Sequence, residues 1–468
     1  MADRHLEGLL APVTEEVTAY DLPVSGRIPA GLHGRYLRNG PNPLGLEDPE
    51  AYHLFLGDGM VHGVRLRDGK AEWYRNRWVR SRSVSAKLNE PWPAGPVFQN
   101  MDWAPNTHVI GHAGRTFALV EAGPRPYELS YELDTLGPCD FGTAGGRGLP
   151  GGYTAHTKRD PLTGDLHAIA YFFGWEYLQH VVVDAAGAVR RTVNIPVSDG
   201  PMVHDFALTQ RYVVVYDLPI TFSLDMALGG SLLPYAWNDA HPARIGLLPK
   251  DPPDDGTTPE VTWFDIDPCF VFHTLNAYDD GDRVVVDLAK FPRMLQHGRL
   301  EGNPPPVLDR WTIDPVAGKV LQETLDDRGQ EFPRVDERVV SVPHRYGYTV
   351  SSDGVVDMLA GEAMLKRDYS TGSTEVRPFP RGSGVGEAVF APAAPDAAED
   401  DGYVMAFVFD PARGATDLVI VAARDFTGEP VAVVHLPVRV PMGFHGSWVP
   451  DPWLPGPPPG PPAGPSPR

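Results

Sequence analysis

Sixteen histidines are spread along the 468 residues of this chain. Imidazole moves protons near neutral pH and binds most divalent transition metals. Four of the histidines share one kind of setting. His156 stands in Gly-Tyr-Thr-Ala-His-Thr-Lys-Arg-Asp-Pro and His204 in Pro-Met-Val-His-Asp-Phe-Ala-Leu-Thr. His273 stands in Cys-Phe-Val-Phe-His-Thr-Leu-Asn-Ala-Tyr and His445 in Val-Pro-Met-Gly-Phe-His-Gly-Ser-Trp-Val-Pro. Each lies in an apolar, β-rich surrounding, where an imidazole without a partner carries a desolvation cost. Their wide spacing excludes a zinc finger and a His-Glu-x-x-His helix. It suits a propeller in which several blades each send one ligand to a common axis. Ligand type leaves iron, copper, zinc and nickel open. The remaining histidines take the ordinary reading of structural or surface residues.

The elements that must position these side chains read as strands. Gln179-His-Val-Val-Val-Asp184, Arg211-Tyr-Val-Val-Val-Tyr216, Asp282-Arg-Val-Val-Val-Asp287 and Leu418-Val-Ile-Val-Ala422 are β-branched runs that fit a pleated surface. Between strands one turn type recurs: Asp160-Pro-Leu-Thr-Gly164, Asp184-Ala-Ala-Gly187, Asp314-Pro-Val-Ala-Gly318 and Asp425-Phe-Thr-Gly428. Aspartate bonds its own backbone there and glycine accepts the positive φ that closes the turn. Many short strands, 49 glycines and 50 prolines point to an all-β radial architecture, a β-propeller. A pair of β-sandwich domains is the alternative, but no mid-chain linker separates two halves. No repeat of fixed period gives a blade count.

Two segments stand apart. Residues 220–237 are apolar, with Gly-Gly and Pro, and read as an insertion with a short helix that either lines a lipophilic entrance or packs on the core. Residues 454–468 form a Pro/Gly-rich tail, expected to be disordered, which leaves 1–453 as one catalytic domain.

Composition narrows the function. The formal charge is −21, from 61 acids against 40 bases, which excludes a nucleic-acid partner and polybasic docking to anionic lipid. Two cysteines, Cys139 and Cys269, are too few for a disulfide framework. Neither a signal peptide nor a run of 18 apolar residues is present, so the expected location is cytoplasmic, free or peripherally membrane-associated.

Several motifs in order then carry a family resemblance along nearly the whole chain. They are Gly34-Arg-Tyr-Leu-Arg-Asn-Gly-Pro-Asn-Pro43, Gly57-Asp-Gly-Met-Val-His62, Thr154-Ala-His156 with Asp160-Pro-x-Thr-Gly164, and His204-Asp-Phe206. Phe272-His273 with Asn276-Ala-Tyr278 follows, and the series closes with His435-Leu-Pro-Val-Arg-Val-Pro-x-Gly-Phe-His445-Gly-x-Trp448. The sequence resembles the carotenoid cleavage oxygenases, a family that includes apocarotenoid- and stilbene-cleaving enzymes. The resemblance implies a seven-bladed β-propeller with one Fe(II) on its axis, held by His156, His204, His273 and His445. It implies that His62 and His435 are not ligands. It also implies that Glu121, Glu331 and Glu387 each accept the remaining N–H of a ligand imidazole, fixing its tautomer and orientation. Ala388 stands where the family pattern has a proline.

The implied reaction is a dioxygenase reaction: O₂ and an apolar conjugated substrate, a carotenoid or apocarotenoid, give two carbonyl products by cleavage of a C=C bond. The chain has no nucleophile or proton-shuttle motif, and none is needed. Tyr171 to Trp175, Phe270 to Phe272 and Trp448 are expected to line the substrate path or to serve as plain core. A stilbene cleaver is the alternative within the family. Such enzymes typically hold a phenol with a tyrosine and a lysine; no lysine occurs between Leu133 and Thr157, where only Arg147 could replace one. A polyene isomerase or binder that keeps the four histidines is the alternative of another class. No obligate protein partner is expected.

Overall fold

The computed structural model describes residues 6–46, 52–103, 105–142, 148–252, 258–299, 302–354 and 361–452. The tail 454–468 and Arg147 lie outside the described residues. Seven antiparallel sheets are arranged as the blades of a propeller. Blade two consists of His108–His112, Arg115–Leu119, Tyr127–Leu129 and Thr135–Pro138. Blade three consists of Thr157–Arg159, Leu166–Ala170, Tyr177–Val183 and Val189–Pro196. Blade four consists of Ala207–Leu208, Tyr212–Asp217, Arg244–Pro249 and Thr262–Asp265. Blade five consists of Phe270–Asp280, Arg283–Phe291, Val307–Asp314 and Lys319–Asp326, and blade six of Gln330–Arg334, Tyr346–Ser351, Ala363–Asp368 and Ser373–Pro378. The β-branched runs noted in the sequence all fall in these strands or in those of blade seven.

Blades one and seven close the ring by exchanging chain ends. In blade one the C-terminal strand Gly446–Pro450 pairs with Gly34–Pro41, opposing Trp448 to Tyr36. Gly59–Arg67, Lys70–Trp78 and Thr18–Tyr20 complete that sheet. In blade seven Val389–Pro392, Gly402–Asp410, Ala415–Ala422 and Ala432–His435 are followed by the N-terminal strand Val24–Gly26, which opposes Ser25 to Val433. The strands Val24–Gly26 and Gly446–Pro450, near the two ends of the described residues, are thereby tied into sheets. The first strands of adjacent blades touch one another around the centre, as Gly446–Pro450 does with His108–His112 and with Val389–Pro392.

Apolar faces pack between the blades. Leu37, Val61 and Trp73 of blade one meet Val109, Ala118 and Tyr127 of blade two. Ile110 and Phe117 meet Leu166 and Val181 across the interface of blades two and three. One large cluster runs through blades three, four and five. The turns behave as the sequence predicts at Gly164, Gly187 and Gly318, where φ is 76°, 87° and 64°. Asp160, Asp184 and Asp314 each accept a backbone N–H of their own turn. The fourth motif also closes a turn, from Gly428 N to the Asp425 carbonyl at 3.0 Å, but it follows the 3₁₀ turn Ala423–Asp425 and Gly428 keeps φ out of the left-handed region.

Among the described residues there are two α-helices, Arg82–Leu88 and Leu224–Leu228. The second lies in the expected insertion, between the paired strands Ile220–Phe222 and Tyr235–Trp237. The insertion packs on the core at its paired strands and leaves its helix exposed. Ile220 and Tyr235 are buried, whereas Leu224, Leu228 and Leu232 point to solvent. Among the described residues no helix is long and apolar enough to cross a membrane.

Leu37 is fully buried between blades one and two, next to the closing strand. Leu37→Ala should cost about 2–5 kcal/mol, lowering the urea midpoint. A loss under about 1 kcal/mol would mean that this interface does not hold the ring together.

Candidate metal centre

The four histidines singled out in the sequence come together on the axis. His156 immediately precedes the first strand of blade three, His204 lies just ahead of that of blade four, and His445 immediately precedes that of blade one. His273 lies inside the first strand of blade five, at an irregularity where the pairing shifts between Val271 and Thr274. Such a bulge re-aims a side chain. The ring centroids of His156 lie 4.4, 5.0 and 4.5 Å from those of His204, His273 and His445. One nitrogen from each of the four falls within 4.8 Å of all the others.

Three carboxylates fix which nitrogen faces inward. Glu121 Oε1 lies 2.7 Å from His204 Nδ1, Glu331 Oε2 lies 2.7 Å from His273 Nδ1, and Glu387 Oε1 lies 2.9 Å from His445 Nδ1. An ionised carboxylate only accepts, so beside one the Nδ1 of a neutral ring donates and its Nε2 carries a lone pair. His273 Nε2 sits 3.1 Å from His204 Nε2 and 3.1 Å from His445 Nε2. Two lone pairs at that distance repel rather than bond. A cation between them turns the repulsion into ligation, and roughly 2.0–2.1 Å is usual for imidazole nitrogen on a divalent ion such as zinc. The fourth ring supplies an independent sign: His156 Nε2 is buried and has no partner. The donor set therefore fits a transition metal.

Electrostatics agrees. Burial, followed by the neighbouring His204, pushes His273 down to about 3. Burial also drives His156 and His445 well below the usual histidine range, and the other imidazoles add to it. These three rings stay neutral, as metal ligation requires. Burial raises the Glu331 carboxyl to about 8, partly opposed by the N–H of Phe332 that it accepts.

A sequence profile of the retinal pigment epithelial membrane protein family matches residues 10–450. The carotenoid cleavage oxygenase of Mycobacterium tuberculosis is 47% identical, over 95% of this chain and 97% of that protein. The chain belongs to the carotenoid cleavage oxygenase family. Two solved structures share its fold. The cobalt-substituted apocarotenoid oxygenase of Synechocystis superposes with a TM-score of 0.82 at 26% identity, over 94% of this chain and 97% of that one. The lignostilbene dioxygenase of Pseudomonas brassicacearum gives 0.82 at 27% identity, over 96% and 99%. As a member of the family the chain is a dioxygenase that cleaves an alkene oxidatively, and it uses a metal.

Sequence reasoning missed contacts that several groups of this carotenoid cleavage oxygenase family member make around the centre. Tyr171 donates to Glu121 Oε2 at 2.7 Å, and Gly446 N donates to Glu387 Oε2 at 2.8 Å. Arg334 lies 3.3 Å from Glu387 Oε1. Asp205 Oδ2 accepts from Thr274 N and from Lys158, tying the segments of His204, His273 and His156 together. Phe332, beside Glu331, holds φ at 52°, a strained value for a phenylalanine. Its ring lies 5.4 Å from His273 and 5.2 Å from His445. A fifth buried histidine, His108, lies 5.5 Å from His445 and faces the carbonyls of Ala155 and Gly446. Asp205 and Gly446 stand in the quoted motifs and Tyr171 in the aromatic run, but no motif marks the contacts they make here. His62 instead contacts Tyr74, and His435 contacts Asp417 and Ser25, both away from the centre. Of the expected aromatic lining, Phe272 reaches the centre, 4.8 Å from His204. Trp448 packs instead into the core shared by blades one and seven.

His273→Ala should bring bound metal, measured by plasma mass spectrometry, down to background; wild-type content would contradict the ligand set. Glu121→Gln should keep the fold but lower metal affinity by about 10–100-fold. An affinity equal to wild type would remove Glu121 from the metal site.

Proposed function

We propose that the chain holds one Fe(II) on His156, His204, His273 and His445 and uses it with O₂ to cleave a C=C bond of an apolar conjugated substrate, a carotenoid or apocarotenoid, into two carbonyl products. The observation that carries this reading is the convergence of four imidazoles with no carboxylate in the inner set. Imidazole suits iron, and the wholly histidine set differs from the two-histidine, one-carboxylate site of many iron oxygenases. Iron bound there would supply the reactivity of O₂ toward an alkene. The chain's own residues do the rest. Glu121, Glu331 and Glu387 hold three rings in one tautomer and partly offset the charge of the site. Phe272 and Phe332 wall the rings and keep water from them. Residues 1–453 are read as one catalytic domain around this centre.

The polyene reading is favoured over a stilbene by the 47% identity to a carotenoid cleavage oxygenase. The lignostilbene dioxygenase among the similar structures keeps a hydroxystilbene as the second reading. Iron-loaded protein under ¹⁸O₂ should convert an apocarotenal into two fragments, each with one labelled carbonyl. Labelled fragments from a hydroxystilbene alone would exchange the two readings. Conversion without change of mass would replace cleavage with isomerisation.

The insertion at 220–237 is the proposed membrane contact, through which a lipophilic substrate arrives. Leu224, Leu228 and Leu232 are 62, 79 and 54% exposed around one short helix. Exposed leucines in such number suit an apolar interface. Leu224→Asp with Leu228→Asp should abolish co-sedimentation with phosphatidylcholine vesicles. Co-sedimentation equal to wild type would rule this surface out.

A further inference from the structure

The loop that carries Glu121 runs on to Arg125, just before the strand Tyr127–Leu129. Arg125 is only 7% exposed. Its Nη2 donates to the Leu149 carbonyl at 2.8 Å, while its Nε and Nη1 are buried and meet no acceptor. Asp140 acts on it through space without an ion pair, and burial is the dominant influence on the guanidinium. Buried donors left unpaired are costly and call for a partner.

A ring lies against this group, and further rings pack on that one. The guanidinium carbon lies 5.9 Å from the centroid of Phe98. Phe98 meets Phe172 and Trp175 edge-on, at 6.2 and 5.7 Å. Met101 presses on Gly123, where a methyl group would fall 2.7 Å from its Cε and where φ is +124°. Phe172 directly follows Tyr171, whose hydroxyl donates to the carboxylate of Glu121 beside His204. The aromatic group thus begins next to the metal centre's own support and ends at an unsatisfied cation. An apolar wall with one or two convergent polar groups is the usual form of a small-molecule subsite. A guanidinium has donors and no acceptor, so its partner must offer oxygen lone pairs.

We propose that Arg125, with Phe98, Met101, Phe172 and Trp175, binds the oxygen-bearing end of the conjugated substrate and so selects which double bond lies at the histidines. The ligand class is a polyene ending in a carbonyl or carboxylate. This rests on the functional reading above. Arg125 is a specificity residue: it touches the far end of the substrate and takes no part in bond cleavage. A site built to hydrogen-bond an oxygen discriminates against the analogue that lacks it.

The test compares a polyene aldehyde with the hydrocarbon of the same length that lacks the oxygen. Binding is read by quenching of tryptophan fluorescence, and KM, kcat, iron content and the position of the cut are read on the iron-loaded chain. Wild type should bind the aldehyde at least about tenfold more tightly than the hydrocarbon. Arg125→Leu should remove that preference and scatter the cut over neighbouring bonds, with iron content retained, and Arg125→Lys should recover part of it. Equal wild-type affinity for the two compounds overturns the proposal even if the leucine variant misfolds. So does a preference that survives in Arg125→Leu. If wild type cleaves both compounds alike and Arg125→Leu changes nothing, this inference falls alone. If wild type neither binds nor cleaves either one, the functional reading falls with it.

Discussion

Lone pairs on three imidazoles, forced toward one point, are the constraint on which the rest of the structure depends. Each of His204, His273 and His445 spends its only N–H on a glutamate, so each must turn a bare Nε2 toward the others. His156 adds a fourth nitrogen with nothing to bond to. In a buried site this arrangement is unfavourable by itself, because polar atoms removed from water need partners. A metal ion at that point satisfies all four at once. Proteins retain such local frustration where function requires it, and the surrounding fold must be stable enough to carry it.

The propeller supplies that support, and it does so with every blade. The four histidines come from blades one, three, four and five; Glu121 belongs to the loop after the second strand of blade two, Glu331 to blade six and Glu387 to the approach to blade seven. Moving any blade would therefore move a ligand or its carboxylate. Rigidity comes from interfaces of buried aliphatic and aromatic side chains between neighbouring sheets, and from the exchange of chain ends that seals blades one and seven. A centre assembled from seven separate sheets needs no helix and no long loop to set its geometry. Loops lie outside this framework, as the insertion with Leu224 and Leu228 and the loop from Glu121 to Arg125 do in this chain.

Much of this was legible in the sequence, for physical reasons that differ from part to part. Strands such as Tyr212–Asp217 announce themselves because β-branched residues favour a pleated surface, and turns such as Asp160 to Gly164 because aspartate and glycine serve fixed backbone roles. The four histidines and three glutamates were found by family motifs; their own surroundings left the metal open. The blade count was not legible, since strand pairing such as Gly34 with Pro450 joins residues some four hundred positions apart and leaves no local period. Phe332 at positive φ, the grip of Arg334 on Glu387 and the open donors of Arg125 were hidden for the same reason: each depends on what the fold brings near, and nothing in the neighbouring residues encodes it. At Asp425 the expected turn closes from Gly428 N to the Asp425 carbonyl, but it follows directly on a 3₁₀ turn and Gly428 needs no positive φ.

X-ray absorption at the iron edge of the reconstituted protein tests the central claim most directly, because it reads the atoms around the metal without substrate or turnover. The expected spectrum shows one iron per chain with four imidazole nitrogens, recognisable by the multiple scattering of their rings, and no protein carboxylate or sulfur ligand. A shell with fewer than four imidazoles, or with a glutamate oxygen or a cysteine sulfur bound to iron, would contradict a centre built from His156, His204, His273 and His445.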